Sequence, residues 1–208
     1  MFAPGGARAV GAFTVVGAVL LALGVARRVP LADVVLGVGG LLLGVAAFLA
    51  VFFRDPERPV GGGIVAPADG RVRAVTVDGG QLLISTFMNV TNVHVNRAPL
   101  DGTVRAMERA GAGFRAAFRP DADRNVRLRY TLDTAIGPVD VVQITGVVAR
   151  RLVPFVAPGG ALRKGERFGM IVLGSRVDLL LPADRARACV AVGAAVRAGT
   201  TTVAEVAA

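Results

Sequence analysis

Two apolar stretches near the N-terminus constrain this chain more than any other feature. Residues 9–26 and 31–53 are almost wholly apolar, interrupted only by Thr14 and Asp33. At about 1.5 Å rise per residue, helices of 18 and 23 residues match the roughly 30 Å hydrocarbon thickness of a bilayer. The connector Arg27-Arg28-Val29-Pro30 is short and charged. It predicts a helical transmembrane hairpin whose N-terminus and downstream chain lie on the same side. A cleaved signal peptide is the competing reading for the first stretch, because Arg8 precedes it; the second stretch would still anchor the protein. Arg8, Arg54 and Arg58 flank the outer ends while Arg27 and Arg28 occupy the loop, so the charge rule favours neither orientation; the expectation is a cell-membrane protein with its body on the cytoplasmic side.

Phe52-Phe53-Arg54-Asp55-Pro56-Glu57-Arg58-Pro59 closes the second helix with interfacial aromatics, charges and then prolines. Gly61-Gly62-Gly63 supplies a joint. The expected division is therefore an anchoring hairpin over 1–60 and a separate body over 61–208. In the body the pattern turns to short alternating or β-branched runs: 71–77, 81–87, 90–95, 126–132, 139–148, 170–173 and 176–181. Ala-Asp-Gly, Asp-Gly-Gly, Leu-Asp-Gly, Ile-Gly-Pro, Pro-Gly-Gly and Lys-Gly-Glu turns separate them. Many short strands with regular turn signals predict a mostly β sandwich or barrel.

Charge and composition exclude several functions. The net charge of +9 is almost all arginine, with Lys164 the single lysine. A basic body held at a bilayer meets anionic headgroups. Aromatic residues are few and not interleaved with the arginines, which argues against a nucleic-acid partner. Cys189 stands alone, so no internal disulfide forms, and one histidine with one cysteine makes no ordinary metal site. No Gly-rich phosphate cradle joins a strand to a helix. Lys164 lies in the turn Arg163-Lys164-Gly165-Glu166, where a solvated lysine is expected rather than a pyridoxal Schiff base.

Three residues carry possible chemistry. Gly174-Ser175 puts a scissile carbonyl directly before a hydroxyl, the two reactants of an internal N-to-O acyl shift; as a dipeptide it is also an ordinary turn. His94 is the only histidine, hence the only side chain with an ordinary pKa suited to proton transfer near neutrality. Asp69 lies in Pro67-Ala68-Asp69-Gly70, where Asp-Gly is equally a hairpin turn. Together Asp, His and Ser are the parts of a nucleophile-activating relay.

Order and spacing give these pieces a resemblance. Phe52 to Arg58, Pro67 to Gly70, Val93 to Gly102, Ile144 to Arg151 and above all Lys164 to Pro182 resemble the short, membrane-anchored phosphatidylserine decarboxylases of bacteria and archaea. The resemblance implies a barrel-sandwich-like domain and a self-processing proenzyme. Ser175 would attack the Gly174 carbonyl, and β-elimination would leave chains 1–174 and 175–208, the latter beginning with a covalent pyruvoyl group derived from Ser175. That ketone would serve as the electron sink for decarboxylating phosphatidylserine to phosphatidylethanolamine. The two cleavage fragments would stay together as a heterodimer.

By the same resemblance Asp69 is tied to serine activation and His94 to the family histidine. Counting back from Pro99 aligns His94 with the first of two histidines of the longer bacterial branch and Arg97 with the second. Either His94 serves both maturation and substrate protonation, or maturation relies on backbone strain and Asp69. Arg97, Arg150 and Arg151 are candidates to face the lipid phosphate or carboxylate. Arg115, Arg119, Arg124, Arg127 and Arg129 read as a solvated, loosely patterned region. An archaetidylserine decarboxylase is the alternative within enzymes, and a membrane-tethered β-sandwich binding protein is the alternative outside them.

Overall fold

The computed structural model describes residues 1–27, 29–113, 124–146, 151–172 and 175–207. It divides into two compact units, Met1–Glu57 and Arg58–Ala208.

The first unit is a hairpin of α1 (Gly6–Val25) and α2 (Ala32–Phe52), close to the bounds expected from the apolar stretches. Small residues let the helices approach. A Cβ on Gly39 would stand 2.9 Å from the Leu21 nitrogen and 3.0 Å from the Gly17 carbonyl oxygen. Gly17 and Gly24 are likewise buried in α1, opposite Leu43 and Leu36, the small-residue packing typical of helices in lipid. At the open end, Ala3 donates its N–H to the Phe53 carbonyl at 2.8 Å and Asp55 donates to Met1 at 2.9 Å. Both helices are long and apolar enough to cross a membrane, and only 11% of each apolar window is buried within the protein. A core helix of a water-soluble domain would bury most of that surface.

The second unit is mostly β, as expected. Its strands are β1 (Ile64–Val65), β2 (Gly70–Asp78), β3 (Gln81–Met88), β4 (Val95–Arg97), β5 (Gly102–Ala110), β6 (Arg127–Thr134) and β7 (Gly137–Ile144). They continue with β8 (Arg151–Pro154), β9 (Ala161–Leu162), β10 (Arg167–Val172), β11 (Ser175–Pro182), β12 (Ala186–Ala188), β13 (Ala195–Val196) and β14 (Thr202–Val206). An eight-stranded antiparallel sheet runs β13-β2-β3-β11-β7-β6-β5-β9 and curls into a half-barrel. Two three-stranded sheets accompany it, β1-β14-β12 and β4-β10-β8.

Strand β11 shows why the large sheet forms. Ser175, Val177, Leu179 and Leu181 alternate inward and are fully buried, while Arg176 and Leu180 face out. Each buried Leu or Ile of that inner face contributes about 1.5–3 kcal/mol. Val72, Ile84, Val141 and Leu132 from neighbouring strands complete the core. The β2–β3 hairpin turns on Gly79-Gly80, both at positive φ (55° and 76°), the conformation of a two-residue I′-type loop.

Some local expectations change. Run 90–95 is not one strand: Asn92 donates its N–H to the Asn89 carbonyl at 2.9 Å, and the Asn92 side chain accepts from the Asn89 N–H at 2.8 Å, folding the segment into a turn before β4. Asp69-Gly70 is a bend between strands of different sheets rather than a hairpin tip. Strand β5 lies outside the runs expected from alternation; its Ala-Met-Glu-Arg composition suits a helix, yet it pairs along its length with β6, and sheet packing overrides propensity there. Arg127 and Arg129 belong to the regular strand β6, whereas Arg115, Arg119 and Arg150 lie outside the described residues.

Candidate active site

Strand β10 ends at Val172 in a three-stranded sheet, and β11 begins at Ser175 in the eight-stranded one. The Gly174-Ser175 junction thus falls where the chain passes between sheets; Gly174 itself lies outside the described residues. Ser175 is fully buried. It pairs with Met88 of β3, and its hydroxyl donates to Met88 Sδ at 3.3 Å. A thioether is a weak acceptor with no proton to give, so this contact orients the hydroxyl without ionising it.

His94 is also fully buried, immediately before β4. Its carbonyl accepts the Ile171 N–H at 3.1 Å, which fixes the histidine backbone against the end of β10. Two residues on, Asn96 donates from Nδ2 to the same Met88 Sδ, at 3.7 Å. Strand β4, which follows His94, and strand β11, which begins at Ser175, therefore meet at one sulfur.

Asp69 is buried and multiply held. Arg58 grips the carboxylate with both terminal nitrogens, Nη1 to Oδ1 at 2.5 Å and Nη2 to Oδ2 at 2.9 Å, and the Ala198 N–H donates to Oδ1 at 2.8 Å. Among the described residues these groups, rather than His94 or Ser175, are its hydrogen-bond partners. The bend carrying Asp69 still belongs to the site's frame. Pro67 accepts the Arg97 N–H at 2.9 Å, and a Cβ on Gly70 would stand 2.1 Å from the Phe87 carbonyl oxygen, so only glycine permits that approach beside Met88.

The arginines separate by environment. Arg97 is buried, and its Nη1 donates to the Gly165 carbonyl at 3.0 Å. Arg151 is exposed at the start of β8, opposite Val172. Arg176 and Asp178, which follow Ser175, lie on the outer face; Asp178 accepts from Ser85 at 2.5 Å and pairs with Arg176 at 3.0 Å.

Sequence reasoning missed Arg58, Met88, Asn96, Tyr130 and Gln143. The signal for Gln143 was a single amide inside the apolar run Val139 to Ile144, an inward polar residue that needs partners when buried. It has them: the Tyr130 hydroxyl donates to Gln143 Oε1 at 3.1 Å, and Gln143 Nε2 donates to Asn96 Oδ1 at 2.7 Å. Burial holds the Tyr130 hydroxyl protonated far above the usual phenol range, and its ring meets Phe168 edge-on at 4.8 Å.

What this defines is a β-rich domain with Ser175 buried at a passage between sheets. Known proteins share the sequence that builds it. A family model described as phosphatidylserine decarboxylase matches residues 45–204. The phosphatidylserine decarboxylase proenzyme of Thermobifida fusca is 47% identical over 162 residues, covering 77% of this chain and 74% of that one. The proenzyme of the same name from Streptomyces griseus is 44% identical, covering 75% and 73%. A relative from Halobacterium salinarum, provisionally named an archaetidylserine decarboxylase proenzyme, is 45% identical and covers 81% and 85%. The chain belongs to the phosphatidylserine decarboxylase family. Its class is that of a decarboxylase, which sets aside the tethered binding module.

Proposed function

We propose that this chain is a proenzyme that cleaves itself between Gly174 and Ser175 and then decarboxylates phosphatidylserine to phosphatidylethanolamine at a membrane surface. The observation that carries the reading is Ser175 itself: fully buried, hydroxyl oriented, first residue of a central strand and last step of a passage between sheets. Ser175 Oγ loses its proton and bonds to the Gly174 carbonyl carbon. The Gly174–Ser175 C–N bond breaks and the nitrogen takes a proton, leaving an ester and a free amine. β-Elimination then removes the residue-175 α-hydrogen and breaks its Cβ–O bond, releasing Gly174 as a carboxylic acid. Water adds to the imine tautomer of the resulting dehydroalanine, and ammonia leaves.

The residue required for the prosthetic group is Ser175, and its enclosed setting fits a carbonyl that must be kept from bulk solvent. That pyruvoyl carbonyl supplies an electron sink for the carbanion formed as carbon dioxide departs. His94 is assigned proton transfer, being the only histidine, fully buried, and tied through its carbonyl to Ile171 of the strand that leads to the junction. Asp69 is assigned to maturation, holding Arg58 and the Ala198 amide and so the bend beside Met88. Exposed Arg151 is assigned to the anionic head group. The hairpin holds the β unit at the cytoplasmic face of the cell membrane, where it meets its lipid substrate.

Intact-mass measurement of the purified chain tests this directly. Expected are fragments 1–174 and 175–208, the second lacking a free α-amine. An active preparation consisting of one unbroken 208-residue chain overturns the proposal. The Halobacterium salinarum relative supports a second lipid, archaetidylserine. It shares the serine head group and differs in its tails, so parallel assays with both lipids decide between them.

A further inference from the structure

Met88 Sδ accepts from two donors at once, Ser175 Oγ at 3.3 Å and Asn96 Nδ2 at 3.7 Å. Asn96 is fixed in turn by Gln143 Nε2 at 2.7 Å, and Gln143 by the Tyr130 hydroxyl at 3.1 Å. All five residues are fully buried, so no water competes for these groups. The chain of bonds also joins two sheets: Asn96 belongs to β4 of the small sheet, whereas Gln143, Tyr130 and Met88 belong to β7, β6 and β3 of the large one. Strand β10, which leads to the junction, lies against the same amide. A Cβ on Gly169 would stand 3.0 Å from both Gln143 Nε2 and Tyr130 Oη, so glycine is what lets β10 pack there.

We propose that Gln143 and Asn96 are positioning residues for Ser175: the amide chain fixes the Met88 sulfur, and the sulfur aims the Ser175 hydroxyl for the attack on its own peptide bond. The inference rests on the self-cleavage proposed above and adds residues that neither the histidine nor the aspartate supplies. The sulfur takes no proton in the step. It holds the Oγ–H direction until a base removes that proton, and both strands flanking the junction are tied to the same network.

The test follows the rate at which newly synthesised full-length chain, inserted in phospholipid vesicles, yields the 175–208 fragment. Asn96→Asp keeps the acceptor for Gln143 and removes the donor to sulfur. Met88→Leu keeps the volume and removes the sulfur. Val139→Ala, an inward core position on β7, provides a destabilised control outside the network. Misplacement of a reacting group by about 1 Å costs on the order of 100-fold in rate. The expected result is cleavage slowed roughly 10- to 100-fold in Asn96→Asp and in Met88→Leu. The double variant should be little slower than either single one, and Val139→Ala should cleave at the parental rate despite a lowered Tm. Parental rates in both single variants, or slowing that merely tracks Tm as in the control, overturn the positioning role while leaving self-cleavage standing. A parental chain that never breaks at 174–175 sinks the proposed function and this inference with it.

Discussion

A serine hydroxyl in water is a poor nucleophile and a common one; at position 175 burial and a weak sulfur acceptor turn it into an oriented group. In the proposed reaction its replacement should stop maturation and turnover together. Ser175→Ala should give one uncut chain with no carbon dioxide release from phosphatidylserine, seen on a denaturing gel and in a radiolabelled-carboxylate assay. His94→Ala should instead lower turnover by roughly 10²- to 10⁴-fold, the usual contribution of a general acid or base, whether or not cleavage persists. Undiminished turnover would remove His94 from the chemistry. Tyr130 offers a stability test. Its folded-state pKa is raised by burial, so the folded protein retains a proton that the unfolded chain releases above about pH 10. Stability is therefore full below that pH and falls as pH rises past it, by about 1.4 kcal/mol per unit. In the uncleavable Ser175→Ala background, Tyr130→Phe should flatten that alkaline slope in urea titrations at pH 9–11.

At the scale of elements, helix pairing and strand position follow from different residues. The α1–α2 contact depends on side chains that are absent: Gly17 and Gly39 let backbone meet backbone. Gly39→Leu should force the helices apart and raise hydrogen exchange across residues 32–52 in micelles. Cleavage at 174–175 should continue, because the β unit Arg58–Ala208 has its own core. Unchanged exchange would show that the hairpin tolerates a wider spacing. For β11 the decisive fact is its central place. It is laddered to β3 over residues 175–182 and to β7 over 176–180, so a chain end created at its first residue stays held on both sides.

For the molecule as a whole, that ladder predicts what the proposed cleavage would leave intact. Fragment 175–208 carries β11–β14, which pair with β3, β7, β2 and β1 of the longer fragment. The two products should co-elute in native size-exclusion chromatography and separate only in denaturant; release of the small fragment under native conditions would contradict this topology. Much of this was legible in sequence for physical reasons. Hydrophobic length set the hairpin within a few residues, period-two alternation with Gly-rich turns set the β body, and Gly79-Gly80 set one hairpin outright. Local order also marked Gly174-Ser175, His94 and Asp69 as candidates, since a dipeptide and a short motif are contiguous in the chain. The sequence could not place β5, whose composition favours helix and whose strand geometry comes from β6. Nor could it give Asp69 its partners, Arg58 and the Ala198 amide, the latter 129 positions away. Met88 and Gln143 lie 87 and 32 positions from Ser175, and only closure of the sheets brings them to it. Composition and periodicity are local properties that one stretch of chain carries by itself; which buried amide meets which sulfur depends on long-range pairing, and tertiary structure alone decides it.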